Sequence, residues 1–373
     1  MRRISYIIVS LLLILSVQVW AGGAAEEAEP GKLTIVTTTG HLADMARNIA
    51  PNADVTEILG PGTDPHTYVP STREVQMLQE ADLTLWNGLE LEIQFTDTLE
   101  SLGDHALEVA RQIPESRLLE FAGHDHDHGH DHDDDHGHDH DDDHGHDHDD
   151  DHGHDHDDDH GHDHDDDHGH DHDDDHGHDH DDDHGHDHDH DHGEHDPHVW
   201  YDIDLWITAV DIVTDRIVEL DPENEAEYRD NAELYKEELR EADEYAADRF
   251  ATIPQDRRVL ITSHDAFGYL ADRYGLEARG VFGLSTEDEA GIAEIEELAA
   301  FIADRGVPTI FQEDIADDQA GIALQEAVSA RGGSVVISDA VLYSDALGDS
   351  GETQTFIGAF RHNVDTIVEG LTR

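Results

Sequence analysis

Residues 124–195 constrain this chain more than any other feature. They hold 29 of its 35 His, with 33 Asp, one Glu, nine Gly, and no Lys or Arg. Within them the unit His-Gly-His-Asp-His-Asp-Asp-Asp starts at His128 and runs seven times without error to Asp183. The segment has no apolar side chain to bury, so without metal it is expected to be disordered. Any folded body must therefore be built from the two stretches that flank it.

Those stretches are themselves unusually acidic. The whole chain carries 92 acidic and 20 basic side chains, a formal charge of −72, of which the insert contributes −34 and the remainder −38. Phosphate binding needs a basic patch, so this balance argues against a nucleic-acid partner. Only two Lys occur, Lys32 and Lys236. A folded body so charged repels itself at low salt, which points to a high-salt habitat where ions screen it. Its melting temperature is then expected to rise with salt. The chain has no Cys. Disulfides, thiolate metal sites, cysteine nucleophiles and a lipoprotein-type anchor are thereby excluded.

Met1-Arg2-Arg3, a mostly apolar run over 4–20 and Ala21 form the pattern of a secretory signal cut near Ala21. An uncleaved anchor is the alternative, but the run is short against the ~20 residues of a membrane span. Residues 1–21 are read as a signal peptide and 22–31 as a tether. The mature protein is expected to be periplasmic and soluble.

Strand-like and helix-like stretches then alternate. Residues 32–38, 54–59 and 82–86 read as strands, with helices at 44–50 and 71–81. Ser71 and Glu74 form a capping box. Residues 204–220 are apolar at helical spacing, and 223–250 form one long charged helix. Its apolar or aromatic positions are Tyr228, Leu234, Tyr235, Leu239 and Tyr245. Beyond it, strands at 258–262, 277–281, 309–312 and 334–338 alternate with helices at 266–274, 285–305, 318–330 and 353–371. This alternation predicts an α/β fold of two similar lobes with parallel sheets. The lobes span 32–220 and 253–373, joined by a linking helix over 221–252.

Six His lie outside the insert. His66 and His198 each end an Asp-Pro-His turn, and His264 follows the strand at 258–262. Ligands of open α/β sheets bind beyond the carboxyl ends of strands. Three imidazoles in such loops are candidate ligands for an ion. Asp345, past the last strand, is the best candidate for a hard fourth ligand, or else it caps a turn. His41 and His105 are read as surface residues and His362 as part of the closing helix. Glu313 is read either as a solvated loop carboxylate or as an acceptor for a ligand imidazole.

At this point the sequence resembles a known family, the zinc/manganese solute-binding proteins of ABC importers, in particular the periplasmic zinc-binding type with a His-rich loop. The motifs are GPGTDPHTY at 60–68, ADLTLWNG at 81–88, DPHVWYD at 196–202, SHDAFGYLADRYGL at 263–276, LYSDALG at 342–348 and HNVDTIVEGL at 362–371. The resemblance implies a metal held between two lobes joined by a long helix. It implies His66 and His198 as ligands from the first lobe, and His264 and Asp345 as ligands from the second. It also implies a monomer that hands its ion to a membrane permease, with no catalysis.

Three imidazoles and a carboxylate suit zinc, whereas manganese favours more oxygen. A His rather than a Glu at position 264 leans the same way. Manganese or iron is the alternative cargo. Clustered imidazoles also make the insert a zinc, nickel or copper binder, either collecting metal for the cleft or acting as a buffer. Deletion of 124–195 would leave uptake under starvation unchanged if the insert delivers nothing. A zinc hydrolase would need an open coordination position, and no HExxH, GxSxG or P-loop pattern occurs. A metal store or adhesin is the remaining alternative. It would lose nearly all binding with the insert, where a transport component would keep one tight site.

Overall fold

The computed structural model describes residues 32–120, 195–286, 291–316 and 319–373. The signal peptide, the tether and the insert up to residue 194 lie outside the described residues, as do residues 287–290 of the helix expected over 285–305 and residue 318 of the helix expected over 318–330. His195 is described: it forms an antiparallel bridge with Glu120, so the chain on either side of the repeats meets as a pair.

The first lobe runs β1 (Thr34–Thr37), α1 (Gly40–Ile49), β2 (Asp54–Glu57), α2 (Thr72–Glu80), β3 (Leu83–Trp86), α3 (Thr96–Glu100) and β4 (Ala106–Glu108). Beyond the insert come α4 (Ile203–Leu220) and the long α5 (Glu225–Phe250). The second lobe runs β5 (Val259–Thr262), α6 (Gly268–Tyr274), β6 (Glu277–Gly280), α7 (Ile292–Arg305), β7 (Thr309–Ile310), α8 (Gln319–Ala330), β8 (Val336–Ile337) and α9 (Phe356–Leu371).

Each lobe holds a four-stranded, all-parallel sheet, in the orders β2-β1-β3-β4 and β6-β5-β7-β8. The order doubles back at the first strand of each lobe, so the loops after β1 and β3, and after β5 and β7, open a crevice beyond the carboxyl ends. The central strands β3 and β5 are buried along their whole length, as expected for a sheet covered on both faces.

The alternation and the capping box at Ser71 and Glu74 are as the sequence indicated. Several readings differ; the helix expected over 285–305 is helical from Ile292, with Gly291 at its N-cap. The first helix starts at Gly40, because the Thr39 side chain accepts the Leu42 N–H and caps it. Strand β4 was not foreseen; only three residues long, it carries little pattern. Leu234 on α5 is 67% exposed. The buried stripe of α5 instead follows Tyr228, Ala232, Tyr235, Leu239, Ala242, Ala246 and Phe250, at the three- and four-residue spacing of one helix face. At 26 residues the helix is ~39 Å long. It packs on α1, α4 and α9, so its stripe shares one core with both lobes. No helix among the described residues is long and apolar enough to cross a membrane.

Candidate metal centre

The loops after β2, β5 and β8, with the segment between the insert and α4, bring four side chains to one point. His66, His198, His264 and Asp345 each offer a ligand atom within 4.8 Å of the others. Each of the four residues is at most 2% exposed.

Local chemistry sets each imidazole. The turn before His66 needs Gly62 at φ 67°, a region costly for residues with a Cβ. The Asp64 carboxylate then accepts the His66 N–H at 2.9 Å. Asp196 accepts the His198 N–H at the same distance. The intervening Pro fixes the backbone while the Asp side chain closes the turn. Asp196 does more, since its Oδ1 also lies 2.7 Å from His198 Nδ1. His264 is held by Glu313, which accepts the backbone N–H at 2.9 Å and sits 2.5 Å from Nδ1. Gly280 passes so close behind that a Cβ there would meet the His264 and Asp265 backbone at 2.5–2.6 Å. A carboxylate on Nδ1 fixes the neutral ring in the tautomer whose Nε2 is free to coordinate.

The three Nε2 atoms converge on one carboxylate. His66 and His264 lie 3.3 and 3.2 Å from Asp345 Oδ2, and His198 lies 3.5 Å from Oδ1. Ligands ~2.0–2.1 Å from a tetrahedral ion sit roughly 3.3–3.4 Å apart along each edge. All three Nε2 atoms and both Asp345 oxygens are buried without a hydrogen-bond partner. Buried polar atoms left this way are costly, and a cation among them would satisfy all five. The donor set therefore fits a divalent ion.

The electrostatics agree. Burial opposes ionisation of Asp345, but His264 and His198 outweigh it and hold the carboxyl well below its ordinary range. Burial likewise disfavours charge on His198, yet Asp345 and Asp196 push it up to about 9. His264 is raised well above the ordinary value against its own burial, by Glu313 and Asp345. The ion-free site is thus a proton trap, and a metal must displace those protons. Asp314, beside Glu313, is pushed up to about 8 by burial and by Asp345.

His41, read from sequence as a surface residue, is 2% exposed. It stacks on Trp200 with ring centroids 4.8 Å apart. Burial lowers it to about 4, so near neutral pH it stays uncharged and does not repel a cation nearby. It is not among the four converging residues. His105 is exposed, and His362 lies in α9 with Nε2 3.0 Å from the Val341 carbonyl. Glu313 is 2% exposed and engaged with His264, not solvated.

Several supporting residues escaped the sequence reading. Asp196 was visible as the first residue of a repeated Asp-Pro-His. Glu92, fully buried, accepts from the Thr38 hydroxyl and the Asn87 and Gly88 N–H groups. Asn87 in turn donates to the Pro197 carbonyl at 2.9 Å, tying the Trp-Asn-Gly motif to the second His turn. Nothing in the local sequence marks Glu92 among many acidic residues.

The model of the periplasmic zinc-uptake complex component A, ZnuA, matches residues 35–370. The chain belongs to the ZnuA family. Its relatives include the zinc-binding protein TroA of Treponema pallidum, 33% identical over 95% of this chain and 93% of TroA. The manganese-binding lipoprotein MntA of Bacillus subtilis is 30% identical over 94% and 92%. The solved structure of the periplasmic zinc-binding protein TroA from Treponema pallidum superposes with a TM-score of 0.71 at 32% identity, covering 92% of this chain and all of that one. As a ZnuA-family member the chain is an extracytoplasmic substrate-binding protein of an ABC metal importer. It binds a metal ion and delivers it to the permease, and it is not an enzyme. The two α/β lobes with a helical link, and the donor residues between them, are the arrangement of that fold.

Proposed function

We propose that the cargo is zinc, held by His66, His198 and His264 through Nε2 and by Asp345. The observation that carries this reading is the set of three buried, unpartnered imidazole nitrogens 3.2–3.5 Å from one carboxylate. Nitrogen-rich four-ligand sets favour zinc over manganese, and all four ligand positions would come from protein, as a carrier requires. The name of TroA supports the same ion.

A second reading, manganese, is favoured by one observation besides the name of MntA. Both Asp345 oxygens face the imidazoles, Oδ1 towards His198 and Oδ2 towards His66 and His264. A carboxylate so placed can bind through two oxygens and serve an ion that wants more than four donors. Competition between zinc and manganese for the purified protein, with metal analysis of wild type and His66→Ala, separates the readings. Zinc is expected to displace manganese at equal concentration in the wild type, and His66→Ala is expected to lose that tight site. Retention of manganese against equimolar zinc would overturn the zinc reading.

A further inference from the structure

The loop that carries Asp345 belongs to the second lobe in sequence, yet side chains of both lobes hold it. Its base is pinned to the second sheet, where Leu342 pairs in parallel with Glu313. Its middle is not. The Tyr201 hydroxyl donates to the Tyr343 carbonyl at 2.7 Å and lies 3.2 Å from the Ser344 carbonyl. The Trp200 indole N–H donates to the same Ser344 carbonyl at 3.2 Å. Both residues sit on the single 3-10 turn Val199–Tyr201 that follows His198. Asn363 of α9 completes the clasp: its Oδ1 accepts the Tyr343 N–H at 2.9 Å, and its Nδ2 donates to the Tyr343 carbonyl at 2.8 Å.

Trp200 and Tyr201 are almost fully buried, at 1% and 2% exposure. Trp200 is wedged between two imidazoles, stacked on His41 and edge-on to His198 with centroids 5.4 Å apart. A buried phenol and indole that lose these acceptors have no water to turn to. The seven residues 196–202 thus orient one ligand ring and fasten the peptide next to another ligand.

We infer that Tyr201, with Trp200 beside it, is a positioning residue for metal binding: its hydroxyl keeps the Asp345 loop in ligating register before the ion arrives. Without that bond only Trp200 and Asn363 hold the middle of the loop, so more of it must be ordered at the moment of binding, and affinity falls by that cost. This rests on the cleft being the metal site. Tyr201→Phe removes only the donor oxygen, and Trp200→Phe removes the second donor.

The test is the melting temperature of the full chain at chelator-buffered free zinc. Binding to the folded state raises it in proportion to ln(1 + [Zn]/Kd), so the shift yields Kd. The ion-free melting temperature separates loss of affinity from loss of stability, and Tyr228→Phe is the reference, since its hydroxyl bonds Asp221 at an end of α4. Expected for Tyr201→Phe is a roughly 5- to 30-fold higher zinc Kd, the effect of one or two lost kcal/mol. Trp200→Phe is expected to shift Kd in the same direction, and Tyr228→Phe to leave it unchanged. Equal falls of the ion-free and zinc-loaded melting temperatures, with Kd unchanged in both variants, would make the residues merely structural and overturn the inference. If wild type itself shows no zinc-dependent rise, or His66→Ala shows the same rise, the cleft reading fails instead.

Discussion

The two lobes repeat one design and use it differently. In each, a Thr ends the first strand and bonds forward to the carbonyl two residues on: Thr37 to Thr39 at 3.0 Å and Thr262 to His264 at 2.8 Å. In each, a buried glutamate braces the neighbouring loop. In the first lobe the residue two past the strand end, Thr39, caps α1, and Glu92 holds only the Thr38 hydroxyl and backbone N–H groups. In the second lobe the matching position is His264, and the matching carboxylate, Glu313, grips its ring and its N–H. The same turn serves helix capping in one place and, on the proposed function, ligand presentation in the other. The scaffold fixes where a side chain appears, and the side chain decides what is done there.

The comparison breaks most clearly at its two equivalent positions. His264→Ala is expected to weaken zinc binding by ~10²–10³-fold, since the ~10–16 kcal/mol of a structural zinc site is shared among about four ligands. A competition titration measures it. If the loss is under tenfold, His264 is not a ligand and the two lobes use their equivalent turns alike.

Next in size come the two glutamates. Glu313→Gln is expected to lower affinity ~10–100-fold, as removal of a ligand's outer partner does. Glu92→Gln, which touches no ligand ring, is expected to lower the melting temperature and leave affinity within a few fold. Equal effects on affinity would mean that both carboxylates act on the ion.

The pH dependence is smaller per unit. With His198 raised to about 9 in the ion-free site, each pH unit below 9 is expected to cost about tenfold in apparent affinity for each proton displaced. Calorimetry in buffers of different ionisation enthalpy should show proton release on zinc binding at pH 7. The ion-free protein should respond oppositely. A His whose folded value exceeds its unfolded value near 6.5 stabilises the fold fully below 6.5, and that contribution is lost as pH climbs towards 9. The melting temperature of the ion-free protein should therefore fall across that window for this group while the zinc-loaded protein holds. The smallest effect belongs to Thr39→Ala, expected to cost ~1 kcal/mol of stability through the lost cap, with zinc affinity unchanged.

Much of this was legible in the sequence. Strand and helix alternation declared the two sheets, and Asp-Pro-His twice over marked two of the four residues that converge, because Pro and Asp restrict the backbone locally. What escaped was set by tertiary packing. His41 reads as an ordinary loop His until Trp200 and Phe356 close over it. Leu234 fits a helical apolar pattern but lies one step off the stripe that the neighbouring helices cover. Glu313 and Glu92 cannot be told by spacing from dozens of solvated carboxylates, since only the fold decides which acids are buried against an imidazole or an amide.

The bridge between Glu120 and His195 has a consequence for how such a chain can change over generations. Paired residues on adjacent strands have Cα atoms only ~4.5–5.5 Å apart, so the stretch between Glu120 and His195 begins and ends at nearly one point. The body's boundary is the same whether seven copies of the octad lie between, or two, or twelve. A change in the number of copies would alter the inventory of imidazoles without moving His198, three residues past the junction.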